Sequence, residues 1–359
     1  MRSVTILSLV LAASMQVQAA KIRVNNRAGL SAAYTTFNSA VAAAAVGDTL
    51  FIEGSPISYG SGTLSKNLTV IGPGYFLAEN DSTQAIPFPA TFTDMTVSAA
   101  AAGAVVSGLS FIGAPTALLI ISANNVSVTR NFFNQTSATA STAAIRISAN
   151  IINTAILQNF IMVSTTSTAQ PMAIEFSSGA QNNVIISNNM IMAGSPPSTT
   201  TTHSTATTKR AISMPTNANA VISNNTIIGD LALYNSTVVD NILIRGNLTV
   251  SASFPNNSQY NMGGLTQWGT ANNNLTNVNM TTMFAQNGLV TQDRYWILAS
   301  GSSAIGTSST GSNRGATGGS MPYKLSGIPA FPAIWSATVP PSGASSSNLN
   351  VNVRARAHQ

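Results

Sequence analysis

The stretch MAIEFSSGAQNNVIISNNMIM, from Met172 to Met192, decides the fold. It runs as an apolar strand, a few polar residues, a second apolar strand, and asparagine at a fixed place. The same order returns in LLIISANNVSVTRNFF from Leu118 and AAIRISANIINTAILQNFIM from Ala143. It returns again in RAISMPTNANAVISNNTII from Arg210 and LALYNSTVVDNILIRGNLTV from Leu231. The recurring asparagines are Asn131, Asn159, Asn189, Asn225 and Asn247, spaced by 28, 30, 36 and 22 residues. A unit this short cannot bury its own apolar face, so copies must stack and share one core. Two short strands per copy make that stack an all-β solenoid.

Alternation within the first strand assigns its faces. Ile145 and Ile147, Ile174 and Phe176, and Ile212 and Met214 point inward, which leaves Arg146, Glu175 and Ser213 outside. About eight coils at ~4.8 Å spacing give a shaft roughly 40 Å long. In-register asparagines can donate to the coil on one side and accept from the other, forming a ladder. Gly108 in VVSGLSF takes the asparagine place one coil earlier, and glycine and asparagine both tolerate the left-handed conformation. The structural column therefore reads Gly108, Asn131, Asn159, Asn189, Asn225 and Asn247.

The ends read differently. Arg2, the apolar run Val4 to Ala13 and the small-residue site Val17-Gln18-Ala19 form an export signal over 1–19, cut after Ala19 or, as the runner-up, after Ala20. The run is shorter than the ~20 residues that span a bilayer. Lys21 to Asn26 reads as a strand. Tyr34 to Val46 reads as a helix ended by Gly47 that caps the first coil and covers its open edges. The solenoid and a closing coil occupy 20–332, with Pro196 to Thr208 as a protruding loop. A linker and edge strand fill 333–359, where Asn348 to Ala357 can pair with Ala333 to Thr338 as a hairpin.

Composition excludes several function classes. The absence of cysteine rules out disulfides, thiolate metal sites and a lipid anchor. Nine acids and fifteen bases are too sparse for the concentrated positive footprint that nucleic acid requires. Neither a cofactor nor a metal is expected.

The chain resembles the exported bacterial right-handed parallel β-helix proteins of the pectate-lyase-like superfamily. The likeness rests on the helix-then-coil opening from Tyr34 to Gly54, on LSKNLTVIGPGYFL from Leu64, and on the V-I-I-S-N-N strands. DRYWIL from Asp293, followed by GSSAIG from Gly301, looks like the closing coil of such proteins. The resemblance implies a right-handed coil, a secreted or cell-surface location, and carbohydrate as ligand. It says little of activity, because the architecture carries lyases, hydrolases, adhesins and inert scaffolds.

The chemistry those enzymes need is thinly represented. A calcium cradle needs clustered acids, yet the repeats from Leu118 to Val250 hold only Glu175, Asp230 and Asp240. Paired aspartates for glycoside hydrolysis are missing, and His203 and His358 fall in segments unsuited to base work. Arg146 and Glu175 are the candidate catalytic pair, with Lys209 and Arg210 as candidate binding residues one coil on. The alternative for the pair is a cross-strand surface ion pair. Trp268, Trp296 and Trp335 are better placed to cap the open core end than to stack on sugars. The expected function is a secreted, non-catalytic scaffold or binding module associated with extracellular polysaccharide or cell-surface material. The alternative is a polysaccharide lyase or glycoside hydrolase with an atypical site.

Overall fold

A computed structural model describes residues 19–81, 83–139, 141–164, 170–194, 209–330, 332–340, 348 and 351–356. The loop expected at Pro196 to Thr208, both histidines and the leader through Gln18 lie outside the described residues. The chain winds as a parallel β-helix of three sheets. Sheet A has ten strands, from Lys21–Val24 through Val184–Ser187 to Asn257–Gln259. Sheet B has eight, from Ser61–Leu64 to Leu248–Thr249, and sheet C has eight, from Thr91–Phe92 to Met262–Gly263.

Each full coil thus carries three strands where two were expected. The run VIISNNMIM is cut at Asn188, whose φ of 56° turns the chain from Val184–Ser187 in sheet A to Met190–Ala193 in sheet C. Gly108, Arg130, Gln158, Asn224, Asp240 and Tyr260 hold the same left-handed place on other coils. Gly108 consequently belongs to the left-handed column and not to the asparagine row. Leu109 stands in the row there, and its N–H donates to Asn131 Oδ1 at 3.0 Å.

After every one of these turns except Gly108, the next residue is a fully buried asparagine joined to its neighbours. Nδ2 of Asn131 donates to Oδ1 of Asn159 at 3.1 Å, and Asn159 to Asn189 and Asn189 to Asn225 at 3.0 Å. The row then runs through Asn241, Asn261 and Asn274. Asn247 is not in it: it lies exposed, with its backbone N–H on Asp230 Oδ1 at 2.8 Å. The misalignment has a physical origin. The coil after Asn225 is short, so VVDN, and not RGN, falls at the corner.

The main core fills the shaft, with Phe92, Phe111 and Phe133 stacked along it. A second core lies outside sheet C. Runs such as Phe160–Val163 and Met190–Ala193 are apolar at every position and buried on both faces. Phe132, Phe160, Met190 and Ile242 point away from the shaft and are covered by Met283, Phe284, Tyr295 and Trp296. The segment expected to close the last coil therefore runs back along the shaft as a strap. Trp296 packs in this second core and not over the open end, where Trp268 joins the main core. Trp335 lies in the terminal hairpin, with Arg354 over its ring at 5.5 Å.

The left-handed column holds the strap. Asn188 Nδ2 donates to the carbonyls of Ala316 and Gly318 at 3.0 and 2.6 Å. Gln158 Nε2 reaches Pro322 O at 2.7 Å, and Arg130 Nη1 reaches Ile328 O at 2.9 Å. Asp240 accepts from the Ser309 N–H at 2.7 Å. At the far end Asp293 is fully buried and accepts from Ser326 N–H, Asn80 Nδ2 and Tyr323 O–H at 2.6, 3.0 and 3.1 Å.

The helix expected over Tyr34 to Val46 is shorter, Phe37–Ala43. Thr36 caps it, accepting from the Ser39 N–H. Ala44 is extended, because Asp48 draws the Ala45 N–H into a turn at 2.8 Å. Ala333–Thr338 and Asn352–Arg356 pair antiparallel, and Ile334 O accepts from Ala85 N–H at 2.9 Å.

Two outcomes follow for stability. Asn189→Ala strands buried donors and acceptors on both adjacent coils, and should cost ~2–4 kcal/mol in denaturant unfolding. Asn247→Ala, at an exposed place, should stay within about 0.5 kcal/mol of the parent. Burial pushes the Asp293 carboxyl up from its ordinary value, against the pull of Asn80, Ser326 and Tyr323. The folded state then holds that proton more tightly than the unfolded chain does. Strap anchoring by Asp293 is strongest below the ordinary carboxylate value of ~3.9 and declines as pH rises through the raised folded value. Hydrogen exchange of strap amides, corrected for intrinsic rates, should loosen as pH rises above the ordinary carboxylate value of ~3.9 in the parent and stay level in Asp293→Asn.

Candidate functional site

The residues proposed from sequence do not converge. Arg146 and Glu175 are register partners on sheet B, and Arg146 Nε meets Glu175 Oε2 at 2.6 Å. Arg146 Nη2 also donates to Ser141 O at 2.9 Å, so the guanidinium is tied on two sides. Ser213, not Arg210, is opposite Glu175 on the next coil, and Arg210 pairs in register with Met172. Arg210 instead lines a groove of about 370 Å³ with Gln170, Asp230, Tyr234 and Asn247. Arg146, Glu175 and Lys209 are not among that groove's lining residues. The adjacent bases part at the start of the strand Arg210–Ser213: Lys209, just before it, is buried, which lowers its pKa, while Arg210 is exposed.

A groove of about 580 Å³ at the start of the shaft gathers more chemistry. Its rim is built by alternation on one strand and its continuation. In KIRVNNR, Val24 enters the core while Lys21, Arg23 and Arg27 line the groove. The floor is made of the outward side chains of the next two sheet-A strands, Phe51 and Ile71, which follow Arg23 in register. The loop bearing Gln84 and Ile86 forms the far wall. It lies close because residue 54 is glycine: a Cβ there would sit 2.0 Å from Phe88 O.

Three cations thus face one carboxylate across an apolar floor. That carboxylate, Glu53, is occupied on both oxygens. Arg23 Nε donates to Oε1, and Asn25 Nδ2 to Oε2 at 2.6 Å. The Glu53 hydrogen bond, and then its charge, raise the Arg23 pKa. Arg27 lies over the Phe88 ring at 5.7 Å. Tyr59, whose O–H donates to Glu53 O at 2.8 Å, is pushed up to about 12 by burial. Such a site can hold an anion with an apolar flank. The signal for it is the spacing of the bases and not their adjacency: Lys21 and Arg23 share one strand face, and Arg27 follows just beyond the strand's end.

A larger cleft, about 900 Å³, opens where the strap meets the loop after Tyr75. It brings together Glu79, Asp81, Arg294, Lys324 and Arg356, residues from three distant parts of the chain. Arg294 Nη1 braces it by donating to Glu79 O at 2.6 Å.

No protein-family model matches the chain, and neither does any curated protein. Among solved structures, it is similar to a pectin methylesterase in complex with a hexasaccharide, at 10% identity and a TM-score of 0.29, over 77% of this chain and 98% of that one. A mutant pectin methylesterase with another hexasaccharide aligns at 10% identity and 0.28, over 67% and 70%. The Dettilon tailspike protein aligns at 11% and 0.31, over 68% of this chain and 54% of the tailspike. Alignments at this level carry no information on activity.

Proposed function

We propose that this chain is an exported β-helix that binds acidic polysaccharide in the groove lined by Lys21, Arg23 and Arg27, without breaking its bonds. The carrying observation is the pairing of a cationic rim with a floor of Phe51 and Ile71. Uronate carboxylates suit the guanidinium and ammonium groups, and the apolar face of a sugar ring suits the floor. The groove's carboxylate is held by Arg23 and Asn25, so it serves the rim's geometry rather than proton transfer. The leader Arg2 to Ala19 supports delivery outside the cell. Among the described residues no helix is long and apolar enough to cross a membrane.

A second reading rests on the cleft at the strap. Glu79 and Asp81 line it with three cations, a set that can serve acid–base chemistry on a glycan. Turnover of acidic polysaccharide, seen as unsaturated products or new reducing ends and lost in Glu79→Gln, would favour that reading.

Binding is tested with a polyuronate and a neutral glucan of equal length, by calorimetry at low salt. The polyuronate should bind and weaken as salt rises, and the glucan should not. Replacing Lys21 and Arg27 together by alanine should weaken polyuronate binding by about tenfold with unfolding unchanged. Equal binding by parent and double variant would contradict the assignment.

A further inference from the structure

Asp48 is buried, with only 4% of its surface exposed, and no lysine or arginine among the described residues pairs with it. Its partners are backbone amides. The Ala45 N–H donates to Oδ2 at 2.8 Å, and the Ala20 N–H to Oδ1 at 2.7 Å. A buried carboxylate held by amides alone carries an uncompensated charge, which is costly in a low-dielectric site. The second amide is the one that matters, because Ala20 adjoins the small-residue site Val17-Gln18-Ala19.

We propose that the Ala19–Ala20 bond is the processing site and that the α-ammonium released at Ala20, itself at the surface, becomes the counterion of the buried Asp48. This rests on the export reading above. An endopeptidase of the signal-processing class adds water across the bond. The hydroxyl goes to the Ala19 carbonyl carbon and a proton to the Ala20 nitrogen. The new amine takes a further proton at neutral pH, and its N–H keeps the place the amide N–H holds on Asp48. The neutral amide contact is thereby exchanged for an ion pair with no movement of the chain.

The geometry also selects this bond over Ala20–Lys21. The Ala20 carbonyl accepts the Thr49 N–H at 2.9 Å, and Ala20 immediately precedes the strand Lys21–Val24 in the same parallel pairing. Cutting one residue later removes that hydrogen bond and takes the ammonium away from Oδ1. Processing thus completes the first coil: until it occurs, Asp48 holds an amide, and afterwards it holds a charge.

The test has two arms. Protein exported by a host through its own leader is sequenced from its N-terminus and weighed intact. Ala20 as first residue is expected, Lys21 overturns the processing site, and an uncut Met1 overturns the export reading. Separately, chains beginning at Ala20 and at Gln18 are released from a fusion and unfolded in denaturant. At pH 6 the Ala20 chain should have an unfolding constant about fivefold lower, the margin of a charge-assisted over a neutral hydrogen bond. The pair raises the ammonium's folded pKa, so this advantage is full below its ordinary value of ~7.7 and lost as pH rises through the folded value. In Asp48→Asn the two chains should unfold alike at every pH. Equal stability of the two parent chains at pH 6 would overturn the ion pair whatever the processing site proves to be.

Discussion

The structure depends on the corner between sheets A and C, where a left-handed residue is followed by a buried asparagine. The turn brings backbone groups inside the shaft, where water cannot reach them. The asparagine amide satisfies them: Asn189 Nδ2 donates to Ile156 O and Asn225 Oδ1, while its own Oδ1 accepts from the Asn159 N–H. Each coil thus supplies the acceptor that its neighbour's corner needs. A shaft with nine acids and fifteen bases in the whole chain, and no disulfide, is tied together by neutral amides.

The same corner governs the outside. Because the left-handed residue points its side chain away from the core, Arg130, Gln158 and Asn188 are free to hold the carbonyls of the returning strap. The strap in turn permits sheet C to be apolar on both faces. Phe160 and Met190 could not face water in a continuous row without inviting association. Inside and outside are therefore coupled through two consecutive residues, one turning and gripping the strap, the next filling the row.

Much of the winding was legible because stacking forces periodicity into the sequence. Arg146 and Glu175 occupy the same place in the repeated strands AIRIS and AIEFS, and they are register partners. The third sheet was hidden because VIISNNMIM reads as one apolar run unless Asn188 is known to be left-handed. Asn247 was misassigned because coil length varies, and spacing alone cannot tell VVDN from RGN. The strap had a signal that went unused: FIMV and MIMA lack the alternation of a half-buried strand. The groove at Lys21 was readable in part from KIRVNNR, but its wall depends on Gly54 admitting a loop from over thirty residues later. The cleft of Glu79, Arg294 and Arg356 joins segments whose meeting no local pattern announces.

Cohesion of the coils lies in the asparagine row, and side-chain amide hydrogen exchange reads it. The Nδ2 protons of Asn131, Asn159, Asn189, Asn225, Asn241 and Asn261 should exchange as slowly as core backbone amides, and those of Asn247 within the dead time. Rapid exchange at the six, with the backbone of sheets A and C still protected, would show that the coils hold together without them.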